Sequence, residues 1–438
     1  MPPESVEKRL SDLIAAAERG NAAEQLELGL SYLEGAGGLE RDPASAFKWL
    51  KKAADSGNPR AAFNLSYLHS AGLGTERDGA LALSLLRKAA EAGYAPAEQN
   101  LGTLHILGEL APEDPSQALY WYLRAADHGD LVALYQLGLL YLEGGRGVPR
   151  DPALARDYFR KASQGGLLDA RYNLALMLAS GNGVGRDPEE AFRLFQENAD
   201  RGDPRSAFNL ANMLAAGEGT ERDPALSFHW CRKAAEAGIA EAEGSLGLKL
   251  LLGEGTEADK PEAERWLRKA ARKGNVRAMF TLAVMLQLGD GVPEDPEEAL
   301  AFFEAAAEAG DPESMYRAAL LRLERTGGEG PEALKIHAHL EKAAKAGHDR
   351  AMRALADLLW DGRLAGRDRA EAERLYRESA RLGNLDAKFS LALALLCAPS
   401  SGPDTAARDE ARELLSALSQ AGYPGAEEKL KELGFRFF

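Results

Sequence analysis

Twelve glycines fall on a single period. Gly20, Gly57, Gly93, Gly129, Gly166, Gly202, Gly238, Gly274, Gly310, Gly347, Gly383 and Gly422 are separated by 36 or 37 residues, with a last interval of 39. Most of them close a degenerate Lys-Ala-Ala-x-x-Gly string. A fixed spacing of this length marks one supersecondary unit repeated along the chain, because each unit buries its apolar face only against its neighbours. A layered core built from distant segments leaves no such trace.

The remaining columns follow from the glycine. Four residues after it stand Ala61, Ala97, Ala133, Ala170, Ala242, Ala278, Ala351, Ala387 and Ala426. Eight residues after it stand Leu28, Leu65, Leu101, Leu137, Leu174, Leu210, Leu246, Leu282, Leu355, Leu391 and Leu430. The ninth position is small almost throughout, as in Gly29, Ser66, Gly102, Gly138 and Ala175. Offsets of four and eight share one helical face, so this stretch predicts a helix A whose small residues admit a close neighbour. Fifteen residues before the next glycine stand Asp42, Asp78, Asp114, Asp151, Asp187, Asp223, Asp259, Asp295 and Asp368, six of them followed by proline. Aspartate accepts from the free amides of a first turn and proline suits the first helical position, so a helix B begins there. It carries a large residue eight before the glycine, as in Trp49, Trp121, Tyr158, Trp230, Trp266 and Phe302.

The reading is an all-α chain of eleven helix-turn-helix repeats over residues 21–422. An N-terminal capping helix is expected over 1–20, and a C-terminal capping helix with a Phe-rich tail over 423–438. Length alone suggests several domains, but the continuous period predicts one elongated stack. The ninth repeat is degenerate, with Ala318 for leucine and with Arg322 and Arg325 where an apolar residue and a glycine belong.

The fullest copy runs from Ala133 to Gly166, with Leu137, Gly138, Tyr141, Gly144, Gly147, Val148, Asp151, Ala155, Tyr158 and Ala162. This pattern resembles the Sel-1-like repeat, a relative of the tetratricopeptide repeat. The resemblance implies a right-handed α/α superhelical solenoid with helices A on the concave side. It also implies an adaptor or scaffold role in protein assemblies, and its bacterial members act in signalling, envelope processes and host interaction. One branch carries a disulfide in each repeat, whose cysteine pairs are missing from this chain.

If helix A lines a groove, offsets three, seven, ten and fourteen from the glycine form its exposed stripe. Offset seven is mostly polar: Asn64, Asn100, Gln136, Asn173, Asn209, Ser245, Thr281 and Ser390. Side-chain amides both donate and accept, so this ladder either holds the backbone of an extended peptide or bridges adjacent helices. Tyr67, Asn212 and Asp357 break an offset-ten column that is mostly Leu or Val. Arg60, Arg205, Arg277 and Arg350 share offset three, where they either pair with acids of a ligand or form a solvated rim. The candidate partner-binding set is Arg60, Asn64, Tyr67, Asn100, Gln136, Asn173, Arg205, Asn209, Asn212 and Arg277. Offset six is aromatic in many repeats (Phe63, Tyr135, Tyr172, Phe208, Phe280, Tyr316, Phe389) and reads as packing between repeats.

Charge and motifs narrow the function. Fifty-three basic against 68 acidic residues give a net charge of −15, which disfavours nucleic acid as a partner. No apolar run is long enough for a membrane helix, and the N-terminus lacks the apolar core of a secretory signal. Two cysteines, Cys231 and Cys397, suit a reducing, cytoplasmic setting. The glycine-rich strings recur between two helices and follow no strand, so they are turns and not phosphate loops. No nucleophile elbow or paired metal-ligand motif is present, and His229 and Cys231 diverge on one helix. No cofactor, metal or catalytic residue is expected. The expectation is a monomeric, non-catalytic scaffold that binds a partner protein or extended peptide in its groove. The alternative is a regulatory or targeting subunit acting through the convex face or the tail Phe435-Arg436-Phe437-Phe438.

Overall fold

The computed structural model describes residues 3–145, 147–328, 331–363, 366–397 and 405–433. They form 24 helices and, among the described residues, no strand beyond one antiparallel bridge between Gly145 and Val148. The chain divides into two bodies, Met1–Arg222 and Asp223–Phe438.

The first body holds α1 (Pro3–Glu18), α2 (Ala22–Glu34), α3 (Pro43–Asp55), α4 (Pro59–Ala71), α5 (Gly79–Glu91), α6 (Ala95–Leu107), α7 (Pro115–Asp127), α8 (Leu131–Glu143), α9 (Pro152–Gln164), α10 (Leu168–Ser180), α11 (Pro188–Asp200) and α12 (Pro204–Ala216). The second holds α13 (Pro224–Glu236), α14 (Ala240–Leu252), α15 (Lys260–Arg272), α16 (Val276–Leu288), α17 (Pro296–Glu308), α18 (Pro312–Thr326), α19 (Pro331–Lys345), α20 (Asp349–Asp361), α21 (Arg369–Arg381), α22 (Leu385–Leu396), α23 (Thr405–Gln420) and α24 (Ala426–Glu432). Within each body every helix packs on the next in sequence, the arrangement of an α-solenoid.

Local chemistry sets the ends of each hairpin. The nine aspartates before helix B all accept hydrogen bonds from first-turn amides. All twelve period glycines have positive φ, between +72° and +100°, which reverses the chain after each helix B. The alanine and leucine columns are buried, and the small ninth position decides how closely A meets B. A Cβ on Gly138 would lie 2.5 Å from the Phe159 ring, and one on Gly102 would lie 2.6 Å from Tyr122.

The ninth repeat departs for a visible reason. It has no glycine at the usual end of helix A, so α18 runs on to Gly327, which has φ +69°. Arg322 enters a column held elsewhere by leucine or an aromatic, and its guanidinium pairs with Glu304 and Glu332. Arg325 pairs with Glu297 at 2.7 Å.

Candidate functional site

Offset six fixes where a cavity forms. In the fourth, fifth and eighth repeats its ring packs on a ring of the following helix B: Tyr135 on Phe159, Tyr172 on Phe195 and Phe280 on Phe303, with centroids 5.8 Å apart. In the second repeat the helix B position holds Leu86, and Phe63 turns to Tyr94 at 5.4 Å. Tyr316 and Phe389 likewise face Leu340 and Leu415 in their own repeats, and they meet His348 and Tyr423 instead. In these three repeats, where helix B offers no ring, a residue at the start of the next helix A or just before it supplies one; in the sixth repeat Phe208 has Cys231 at the helix B position and Ile239 opens the next helix A, so neither offers a ring.

The smaller Leu86 leaves space. A pocket of about 340 Å³ opens between α4, α5 and α6. Its floor and walls are Phe63, Ser66, Ala82, Leu83, Leu86 and Leu104, and its rim is Asn64, Tyr67, Ser70, Asn100, Thr103 and Leu110. The trio Phe63, Ser66 and Leu86 corresponds to Tyr135, Gly138 and Phe159 two repeats later, where the ring fills the gap. The Thr103 hydroxyl lies 3.1 Å from the Tyr122 hydroxyl, and burial pushes the Tyr122 phenol above its ordinary pKa. Tyr67 is 54% exposed. An apolar cavity with a few convergent polar groups on its rim is the usual form of a binding site.

The pocket gathers three of the expected residues: Asn64, Tyr67 and Asn100. Arg60 lies one turn before Asn64, whose Nδ2 donates to the Arg60 carbonyl at 2.7 Å. The others lie elsewhere. Asn173 Nδ2 donates to the Tyr135 hydroxyl at 3.2 Å and Asn209 Nδ2 to the Tyr172 hydroxyl at 3.3 Å, each reaching back one repeat. Each also bonds the carbonyl four residues earlier. These two amides brace neighbouring helices A. Arg205 is held between Asp169 at 2.6 Å and Asp203 at 3.2 Å, with its guanidinium 4.6 Å from the Tyr172 ring centre. Three partners of its own chain thus occupy a side chain expected to await a ligand. Gln136 is half-buried, Asn212 is exposed, and Arg277 is an exposed residue of the second body. The tail Phe435–Phe438 lies outside the described residues.

The sequence reading missed a column of buried charge at offset five. Glu98 is fully buried and meets Arg124 at 3.0 Å and His128 at 2.8 Å. Glu243, also fully buried, meets Lys269 and Lys273, each at 2.8 Å. Arg171 bonds Ser163 and Asn198. The available signal was a carboxylate in an apolar column with a base 30 residues on, from 98 to 128 and from 243 to 273. These pairs tie helix A to helix B and point at no ligand. Burial pushes the Cys231 thiol up to about 11, leaving it neutral in the core, while Cys397 is exposed. Among the described residues no three His, Cys, Asp or Glu side chains cluster as a metal site, and no helix is long and apolar enough to cross a membrane.

Comparison with known proteins supports the repeat assignment. The Sel1 repeat model matches residues 25–58, 59–94, 95–130, 131–167, 168–203, 204–239, 240–275, 276–311 and 349–384, omitting the degenerate ninth repeat and the eleventh. Among solved structures, c5321, a protective antigen present in uropathogenic Escherichia coli strains and displaying an SLR fold, is 28% identical. That match covers 97% of this chain and 90% of the other, with a TM-score of 0.83. A Sel1 repeat protein from Oxalobacter formigenes is 31% identical over 70% of this chain and 88% of its own, with a TM-score of 0.55. No curated protein matches the chain. Its repeats, their stacking and these likenesses agree: the chain belongs to the Sel1 repeat family, whose members are in general protein-interaction scaffolds.

Proposed function

We propose that this chain is a non-catalytic scaffold that binds a partner protein, or an extended segment of one, along the helix A stripe of its first body. The pocket between α4, α5 and α6 carries the reading, because it joins Asn64, Tyr67 and Asn100 around an apolar cavity. Preformed concavity lowers the ordering cost of binding, and a few anchors of this kind dominate affinity. A cytoplasmic, monomeric protein is the setting we infer, in keeping with two unpaired cysteines.

The test is a photo-crosslinking amino acid placed at Tyr67 and, separately, at Leu288, which is 69% exposed on α16. Position 67 is expected to capture one defined partner in extracts of the source cell, and the Leu86→Phe background is expected to abolish that capture. Capture at position 288 alone would move the contact to the second body and refute the pocket as its seat. Capture at neither position, with a tail deletion alone releasing the partner, would favour a targeting role for the C-terminal segment.

A further inference from the structure

Arg60 and Arg205 occupy the same position in repeats four apart, yet their surroundings differ. Asp203 and Asp169 hold Arg205. The matching neighbours of Arg60 are Asn58 and Ala23, neither of them charged. The Asn58 side chain is already engaged, accepting from the Ala61 amide at 3.1 Å. Arg60 is exposed and makes no ion pair among the described residues. A bare guanidinium therefore stands one helical turn from the rim of the pocket.

The rim also keeps hydrogen-bonding capacity. Asn64 donates to the Arg60 carbonyl and its Oδ1 accepts from no described residue. The Asn100 amide is exposed and makes no side-chain hydrogen bond with any described residue. Peptide groups need both a donor and an acceptor, and these two amides supply both.

Geometry fixes the spacing of what binds. Positions four apart on a helix are separated by about 6 Å along its axis. In an extended chain, side chains two residues apart point the same way and lie about 6.6 Å apart. An apolar side chain that enters the pocket at the Asn64 end of its rim thus places its neighbour two residues away beside Arg60.

Resting on the scaffold reading above, we propose that the pocket takes a bulky apolar side chain of an extended partner segment that bears Asp or Glu two residues away, the carboxylate pairing with Arg60 while Asn64 and Asn100 hold the intervening peptide groups. Charge complementarity selects this occupant over a neutral or basic segment. The apolar anchor supplies most of the affinity and the ion pair the choice of partner.

The test uses the full chain and fluorescence anisotropy with four labelled peptides. Two are Ser-Gly-Glu-Gly-Phe-Gly-Ser and its reversed order Ser-Gly-Phe-Gly-Glu-Gly-Ser. Two controls replace Glu by Lys or Phe by Ala in whichever order binds. One order is expected to bind at or below about 1 mM, the range open to one buried ring and one ion pair. The Lys control should bind about tenfold more weakly and the Ala control not measurably. Arg60→Glu should reverse the preference between Glu and Lys peptides. Leu86→Phe, which fills the cavity, should weaken both by about tenfold or more, and Tyr67→Ala, at an exposed position, serves the same purpose if Leu86→Phe misfolds. Equal binding of Glu and Lys peptides, unchanged binding to Arg60→Glu, or no binding of either order would overturn the proposal. If position 67 still captures a partner while the peptides fail, the scaffold reading survives and this specificity does not.

Discussion

Alanine at Gly255 is expected to destabilise the second body by about 3 kcal/mol, while alanine at Gly274 costs about 1 kcal/mol. Both glycines have positive φ, +77° and +87°. They differ in what a side chain would meet. Around Gly274 there is nothing within 4 Å, so only the backbone preference is lost. At Gly255 a Cβ would lie 2.0 Å from the Pro224 carbonyl oxygen, a backbone atom at the start of the preceding helix B. That oxygen cannot rotate away, so the turn must lift off α13. A Cβ on Gly74 or on Gly219 would likewise lie 2.1 Å from the Pro43 or the Pro188 oxygen. In these three repeats the turn glycine seats the repeat on the one before it, and losing it should loosen an interface rather than a single helix. Urea unfolding followed by far-ultraviolet circular dichroism measures the difference. Amide exchange should place the added opening in α13 and α15 for Gly255→Ala and show no such focus for Gly274→Ala. Equal losses for the two variants would show that backbone strain alone governs these glycines.

Truncating Phe159 to alanine is expected to cost about 3–5 kcal/mol in the first body. The ring is fully buried, packs on Tyr135, and fills the space left by Gly138. Nothing nearby can collapse onto it without moving α8 against α9. Phe159→Leu copies the second repeat and should cost only about 1 kcal/mol while opening a cavity like the one at Leu86. Chemical denaturation gives the energies, and a crystal structure of Phe159→Leu shows the cavity. A loss below about 1 kcal/mol for Phe159→Ala would mean that the ring column does not hold the hairpin together, and the explanation of the pocket would fall with it.

What could be read from the chain alone depended on distance along it. Period, caps and buried columns are local: an aspartate bonds amides two or three residues on, and an alanine face repeats every four. The nine aspartates before helix B and the twelve glycines therefore stand where their spacing put them. The polar stripe was harder to read. Asn173 and Asn209 look alike in any one repeat, but their use appears only across 38 and 37 residues, where tyrosine hydroxyls meet them. Arg60 and Arg205 share a column and differ in the charges and the ring that the preceding repeat and the helix start bring to them. The pocket was hidden for the same reason. Leu86 is an ordinary core residue until Phe63 across from it lacks a ring to meet, and Tyr94 shows where that ring went. Buried Glu98 and Glu243 broke their column visibly, yet the bases that hold them lie 30 residues away on another helix.

The missing ring at Leu86 is the point from which the binding surface follows. Methyl resonances of Leu83, Leu86, Leu104 and Leu110, followed while the Glu- and Phe-bearing peptide is added, test it most directly. Saturable shifts at these four leucines in the native chain, absent at the three that remain in a folded Leu86→Phe variant, are the predicted result. Shifts that persist in that variant, or that appear instead at Leu252 and Leu288 of the second body, would contradict it.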